Sequence, residues 1–592
     1  MGYIRLFIFV IVVTFCAEAL QKNYRGIKRV PLKKCVLKPR CDPHYKYRTA
    51  DGSCNNLKRK SWGQSNTIQR RFLEPDYDDG CQSPRETGYD KRPLPSTRDV
   101  SNKIHRNRRA KTKKDRKLNM FHMSFGQFLS HDIALTPSSD KSDCCGAHKN
   151  RPQCMQIVIP RGDPFYKFQC MPLARSDPFP TRYGYSCYRR QINKVTAYVD
   201  ASNVYGSTEK KAKELRSFKN GKMRQNNLGL PDGGSNCVFD DMNNDYCQDA
   251  GDGRQNVVPN LGATHLLFIR YHNLVVEKLA KLNSNWDDEK LYQETRRIVS
   301  AIMQDVVYNE YLPHVLGPAI MEEYNLYSKS SGFDSVYDKR IDASMRNAVA
   351  VAALRFGHSQ IRNVQKHFSK TYKAIESRKI ENTFHHPHMC VRQNGLGSDG
   401  VLRWQLAERA AKMDGVFVSG IRDKLFPDSD GKSFDLVARN LQRGRDHGTP
   451  PYWKWRKFCG LDHRKLSDHT RRNRRKLLKL CGHIKSIDLY TGGTTEVPVP
   501  GGIVGPTFAC LLARQFSLYK RGDRFWYENN LPYTGFTEDQ LNEIKKVTLS
   551  SIICESMDVD RVTRDAFRVK SKKNKRVKCS AIPKPSWLSW KA

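Results

Sequence analysis

The sequence predicts a mainly α-helical fold: one large helical domain with few short strands, stabilised by disulfides. Three observations carry this expectation. Apolar residues recur at three- and four-residue spacing through most of the chain beyond about residue 60, whereas strand-like alternation is sparse. Eighteen cysteines stand in a chain that opens with an export signal, so most are expected in disulfides. No internal repeat, low-complexity stretch or Gly/Ser linker interrupts the 592 residues, and the body reads as one unit.

The N-terminus comes first. Arg5 precedes an apolar run from Leu6 to Phe15, followed by Ala17-Glu18-Ala19. A bilayer span needs roughly 20 apolar residues; this shorter run with its A-x-A site fits a secretory signal. Residues 1–19 are therefore read as signal peptide and the mature chain as secreted and extracellular. No later stretch approaches the length of a transmembrane segment. Residues 20–60 form a basic leader with Cys35, Cys41 and Cys54, a candidate propeptide, and residues 61–592 form the domain with a basic C-terminal tail. Cys16 leaves with the signal, and the odd number remaining requires a free thiol or an intermolecular bridge. Cys237/Cys247 and Cys554/Cys579 are close enough to close local loops, while Cys144, Cys145, Cys154, Cys170 and Cys187 admit several pairings. There is no C-x-x-C zinc pattern and no N-x-S/T sequon.

Lys and Arg number 103 against 60 Asp and Glu, a formal net charge of +43. Much of the excess lies in "RNRRAKTKKDRK" (106–117), "RRNRRKLLK" (471–479) and "KSKKNKRVK" (570–578). Export directs such runs to sulfated glycans or anionic surfaces rather than nucleic acid. They read equally as solvated loops open to proteolysis.

Helices are expected at "THLLFIRYHNLVVEKLAKLN" (264–283), around "RNAVAVAALRFGHSQ" (346–360) and from "STEKKAKEL". In "GQFLSHDIALTP" (126–137), Gln127 and His131 share a helix face at i and i+4, among Phe121, Phe125, Phe128 and Leu129. Asp132 points about 100° away. His358 in "LRFGHSQ" follows Gly357, which permits close approach of something flat. Arg254 lies in "GDGRQNVVPNL"; Asn440 and Arg443 lie in "ARNLQRGRDHG". Taken singly these are ordinary: packed histidines, a surface charge, a local ion network. In "VTAYVDASNVYGS" (195–207), Thr196, Tyr198, Asp200 and Ser202 alternate and direct oxygens to one side. That suits Ca²⁺, which takes hard oxygen ligands; it also suits a Ser/Thr-rich turn before a helix.

Together and in this order, "GQFLSHD", "VTAYVDASNVYGS", "GDGRQNVVPNL", "LRFGHS" and "ARNLQRGRDHG" resemble the animal haem peroxidase family. The similarity runs from about Trp62 to the last cysteines and includes "GDRFWYENN" (522–530) and "LSSIICESM" (549–557). The resemblance implies a haem b enzyme that reduces hydrogen peroxide through a ferryl intermediate while oxidising a small organic donor. It makes His131 the distal acid–base, Gln127 its pocket neighbour and Arg254 the cation at the breaking O–O bond. It makes His358 the axial iron ligand, with Asn440 accepting a hydrogen bond from its other ring nitrogen, and Arg355 and Arg443 partners of the haem propionates. Asp132, Thr196, Tyr198 (through its carbonyl), Asp200 and Ser202 become calcium ligands.

The chain departs from the family at two carboxylates that often esterify haem: those positions are Ser130 and Val257, and the sulfonium-forming methionine is Val258. The resemblance thus implies non-covalent haem and donors such as phenols and catechols rather than chloride. A second reading, an adhesive protein on the same fold, rests on Arg161-Gly162-Asp163 as an integrin motif, since peroxinectin-like members are credited with adhesion. The cyclooxygenase branch is disfavoured, because the leader has neither an EGF-like cysteine set nor membrane-binding helices.

Overall fold

Helix α1 (Met120–Ile133) forms because its apolar residues recur on one side: Phe121, Phe125, Phe128 and Leu129 are buried. Asn119 caps it, its side chain accepting from the His122 N–H. Helix α2 (Pro259–Leu282) opens with proline at its first turn, where no N–H is needed, and runs 24 residues, about 36 Å. It is buried on almost every side over Leu261–Ile269, so it forms the centre of the core. Phe128 of α1 stacks on Phe268 of α2, with ring centroids 4.9 Å apart. Helix α3 (Asp288–Asp305), capped by Asp287, packs on α2 and continues into a π-helical stretch, Val306–Tyr311. A Cβ at Gly126 would lie 2.2 Å from the Tyr311 hydroxyl, so only glycine lets α1 approach this closely.

The computed structural model describes residues 40–106, 112–138, 144–146, 149–180, 188–391 and 397–592. The expected signal peptide, residues 20–39 of the expected leader with Cys35, and Cys187 lie outside them. Cys41–Ala592 is one compact unit. Residues 41–60, placed by sequence in the leader, are built into it: Arg48 forms a two-pronged pair with Asp523 at 2.6 and 3.0 Å, and the Asn55 amide donates to the same carboxylate. Helices α4 (Leu436–Asp446), α5 (Arg471–Cys481) and α6 (Pro506–Gly522) complete the elements used below. Among the described residues the strands form five two-stranded antiparallel pairs, the longest Val364–Phe368 with Ala374–Lys379.

The helix expected around 346–360 divides. Asn347–Val351 is α-helical, Ala352 breaks the geometry at φ −131° and ψ −63°, and Ala353–Gln360 is 3₁₀. The run 471–479 is helix α5, not loop. Disulfides join Cys237–Cys247 and Cys554–Cys579 as spacing suggested, and also Cys41–Cys54, Cys144–Cys154, Cys145–Cys170 and Cys459–Cys510. Among the described residues Cys390 and Cys481 are free thiols.

Candidate active site

Between α1, the start of α2 and the 3₁₀ segment lies a cavity of about 260 Å³. Gln127, His131, Arg254 and His358 all line it, amid apolar side chains such as Phe356, Phe384 and Phe426.

One wall is the end of α1. His131 is buried there, its Nδ1 unbonded and 3.6 Å from an Asp252 oxygen, which leaves Nε2 as the nitrogen toward the cavity. Burial, reinforced by the Arg254 charge, holds its pKa well below the usual histidine value, so the ring is neutral. Arg254 is fixed from two sides. Its Nε and terminal nitrogen donate to Asp252 at 2.7 and 2.6 Å, and it also donates to the His131 and Ala134 carbonyls at the end of α1. A cation at those carbonyls is placed where the helix dipole favours it. Burial would raise the Asp252 carboxyl, but Arg254 overrides this and holds it below the usual range.

The opposite wall carries His358. Burial, then the neighbouring Arg355, pushes its pKa down to about 3. Its Nδ1 meets the Asn440 side-chain nitrogen at 2.9 Å. This reverses the expected polarity, in which Asn440 accepts. The reason is Arg355: it donates to the Asn440 oxygen at 2.6 Å and turns the amide nitrogen toward the histidine. A histidine bound to iron through Nε2 carries its proton on Nδ1 and needs an acceptor opposite. Interchanging the amide's oxygen and nitrogen supplies one and releases Arg355 from Asn440.

Arg355 and Arg443 do not line the cavity. Arg355 donates to Ala350 and Asn440; Arg443 donates to the Ala174 carbonyl, Ser176 and Asp446. Arg355 is nevertheless a half-buried cation whose pKa is lowered to about 10, by desolvation and then by Arg443. Arg439, one turn before Arg443 on α4, is lowered to about 10 for the same reasons. Neither makes an ion pair among the described residues, so positive charge is in excess around Asn440, outside the cavity lining, where it would favour carboxylate groups on a ligand that reaches it. A Cβ on Gly357 would meet nothing within 4 Å, consistent with room for a flat group at the wall. These residues fit a haem: an imidazole with its far nitrogen engaged, a flat cavity wall and unpaired guanidinium charge.

Behind His131, Asp132 and Asp200 are buried together. The Asp132 carboxylate accepts from the backbone N–H of Asp200, Ala201 and Asn203 and from the Ser202 hydroxyl; Thr196 donates to Asp200 at 2.9 Å. Burial, and for Asp132 the Asp200 charge next, raises both pKa values. Asp200 Oδ2 has no partner. Two carboxylates with hydroxyls around them are a donor set suited to Ca²⁺. The Tyr198 side chain points elsewhere, donating from its hydroxyl to the Trp62 carbonyl. Sequence reasoning missed Asp252 and Arg439. The signal for Asp252 was available, an acid two residues before a cation in a glycine turn; nothing distinguished Arg439 from other charges of the basic chain.

Arg161-Gly162-Asp163 is not presented as an integrin motif. Asp163 is buried, paired with fully buried Arg98 at 2.7 and 3.0 Å, and accepts from the Phe165 and Tyr166 N–H groups and the Asn102 amide.

Residues 47–567 match the family model of the animal haem peroxidase. A peroxidase-like protein of Margaritifera margaritifera is 35% identical, covering 92% of this chain and 72% of that protein. Mouse myeloperoxidase is 34% identical, covering 93% and 80%. Peroxidase A of Dictyostelium discoideum has a similar structure, with a TM-score of 0.73 at 26% identity over 89% of this chain and 99% of that one. The chain belongs to the animal haem peroxidase family. It is a haem-dependent peroxidase, an oxidoreductase that uses hydrogen peroxide and an electron donor.

Proposed function

We propose that the chain is an exported peroxidase holding haem b without covalent links, with His131 as acid–base, Arg254 as fixed cation, Gln127 as pocket hydrogen-bonding partner and His358 as iron ligand. The observation that carries this is that neutral His131 and clamped Arg254 line the same cavity as His358. Haem supplies the redox chemistry: two electrons for the peroxide O–O bond, recovered one at a time from donor molecules. The chain does the rest. His131 Nε2 takes the proton from the peroxide and returns it to the departing oxygen, which requires a neutral ring. Arg254 stabilises charge on that oxygen, and its bonds to Asp252 remove any cost of reorienting it. Arg355 and Arg439 would answer the propionates, with Arg443 held beside them by Asp446. Asp132, Thr196, Tyr198 through its carbonyl, Asp200 and Ser202 would hold Ca²⁺.

The apolar lining supports small organic donors, phenols and catechols, over chloride. The basic runs support an additional association with sulfated glycans or other anionic surfaces. The integrin reading has no support, because the carboxylate it needs is buried in an ion pair with Arg98.

The test is an optical spectrum of the purified haem protein before and after peroxide, with guaiacol turnover, for wild type and His131→Ala. The variant should keep its haem band and lose turnover by about 10²–10⁴-fold. Wild-type turnover in His131→Ala at full haem loading would overturn the assignment.

A further inference from the structure

One basic run, 471–479, meets Arg106, the first residue of another, in space. Helix α5 lies against the π-helical turn Ser101–His105, and the groove between them is lined by Arg472, Lys476 and Lys479 from α5 and by Lys103 and Arg106 from the other side. These segments are more than 360 residues apart in sequence, and among the described residues no acidic side chain lines the groove. We infer that this groove binds a linear sulfated polysaccharide. The inference rests on the polyanion reading above and assigns it a site.

The helix itself argues for an outside partner. Its eleven residues include Arg471, Arg472, Arg474, Arg475, Lys476 and Lys479 and no acid, and only Leu477 is buried. Arg471 and Arg472 occupy the first turn, where the helix dipole disfavours cations, and 471/475, 472/476 and 475/479 are like-charge pairs at i,i+4. Such a helix is not optimised for its own stability. Among the described residues, Arg471, Arg472, Arg474, Arg475 and Lys479 make no ion pair, whereas the buried Arg98 is matched by three carboxylates. Of the groove cations, Lys103 is paired with Asp99, at 2.7 Å.

The shape selects the occupant. Arg472, Lys476 and Lys479 fall on one helix face at i, i+4 and i+7, a row about 10 Å long, and they face a groove rather than a plane. A row of charges in a groove matches an extended chain of regularly spaced sulfates better than the flat headgroups of a membrane. The third run contributes nothing to this groove: Lys570, Lys572 and Lys573 are exposed beside the hairpin Arg561–Thr563/Arg576–Lys578, and Arg576 stacks on Tyr372.

The test compares full-length haem protein, wild type, Arg472→Gln/Lys476→Gln/Lys479→Gln and Lys570→Gln/Lys572→Gln/Lys573→Gln, for binding to heparin and to phosphatidylserine vesicles at several salt concentrations. Haem absorbance and guaiacol turnover, whose residues none of these changes touch, report folding. The α5 triple should weaken heparin binding about tenfold or more at 0.15 M salt and flatten its salt dependence, because fewer counterions are released. The tail triple should bind heparin nearly as wild type. If the tail triple loses binding and the α5 triple keeps it, the groove is the wrong site while the polyanion reading stands. Wild type that fails to bind heparin at all removes both. Groove-dependent binding to vesicles tighter than to heparin replaces the polysaccharide with a membrane surface and overturns the inference.

Discussion

Val257 and Ser130 both line the cavity, and both are chemically unable to form an ester with haem. Ser130 also spends its hydroxyl within α1, donating to the Gln127 carbonyl at 2.8 Å. On the non-covalent reading the haem would be held by the His358 bond, by packing and by the charge of Arg355 and Arg439. Acidic organic solvent should extract it from wild-type protein, and an absorbance measurement on the protein pellet checks this. Val257→Glu should yield a fraction that resists extraction after peroxide turnover, because it restores a carboxylate at the wall. Haem that remains with the wild-type pellet would contradict the non-covalent reading. At this scale much of the site is legible in sequence, because the family resemblance singles out His131, Arg254 and His358, which line one cavity. The Asn440 amide is not: its orientation depends on Arg355, 85 residues away, and that contact exists only in the folded chain.

The end of α1 is the element on which both polar sites depend. Its last turn carries His131 toward the cavity and Asp132 toward the loop 195–203, and Arg254 clamps its terminal carbonyls. A calcium ion between Asp132 and Asp200 would fix that turn by neutralising two buried carboxylates. Asp200→Ala removes the acceptor of the Thr196 hydroxyl and the Ser202 N–H, each left unbonded at a cost of about 1–3 kcal/mol. Asp200→Ala and exhaustive chelation should therefore lower thermal stability and haem occupancy together. Unchanged melting and haem content in calcium-free protein would separate the ion from α1. Periodicity makes α1 and α2 visible because each has a continuous apolar face. It misplaces elements whose conformation comes from distant contacts: the break at Ala352, residues 41–60 held by Asp523, and α5, whose charge alone suggested a loop.

Two sets of buried groups set the pH response of the whole molecule, and they act in opposite directions. Away from the cavity, His105, His272 and His469 are pushed down to about 4 by burial, and His122 and His447 lie well below the usual value for the same reason. Each is neutral in the fold; His105 is bonded to the Gly415 carbonyl and Thr491, and His272 to Tyr205 and the Gly221 carbonyl. Their depressed pKa values contribute stability that is complete above about 6.5, the unfolded value, and is lost as pH falls toward 4. Burial raises Asp305 to about 7 and Glu310 to about 8. These two contribute stability at acid pH that is lost as pH rises through 7 and 8. Between pH 6.5 and 5 the histidines lose this contribution while Asp305 and Glu310, with Asp132, Asp200, Asp414, Asp435 and Glu496, whose carboxyls burial also raises, gain theirs, so the two sets offset one another. The alkaline side has its own variant. Glu310→Gln keeps an acceptor for the Leu549 N–H, which Glu310 now bonds at 2.8 Å, without a group that must ionise. It should be more stable than wild type at pH 8 by about 2–4 kcal/mol, and the difference should vanish near pH 4.5. A constant difference across that range would mean that Glu310 acts through packing rather than through its proton.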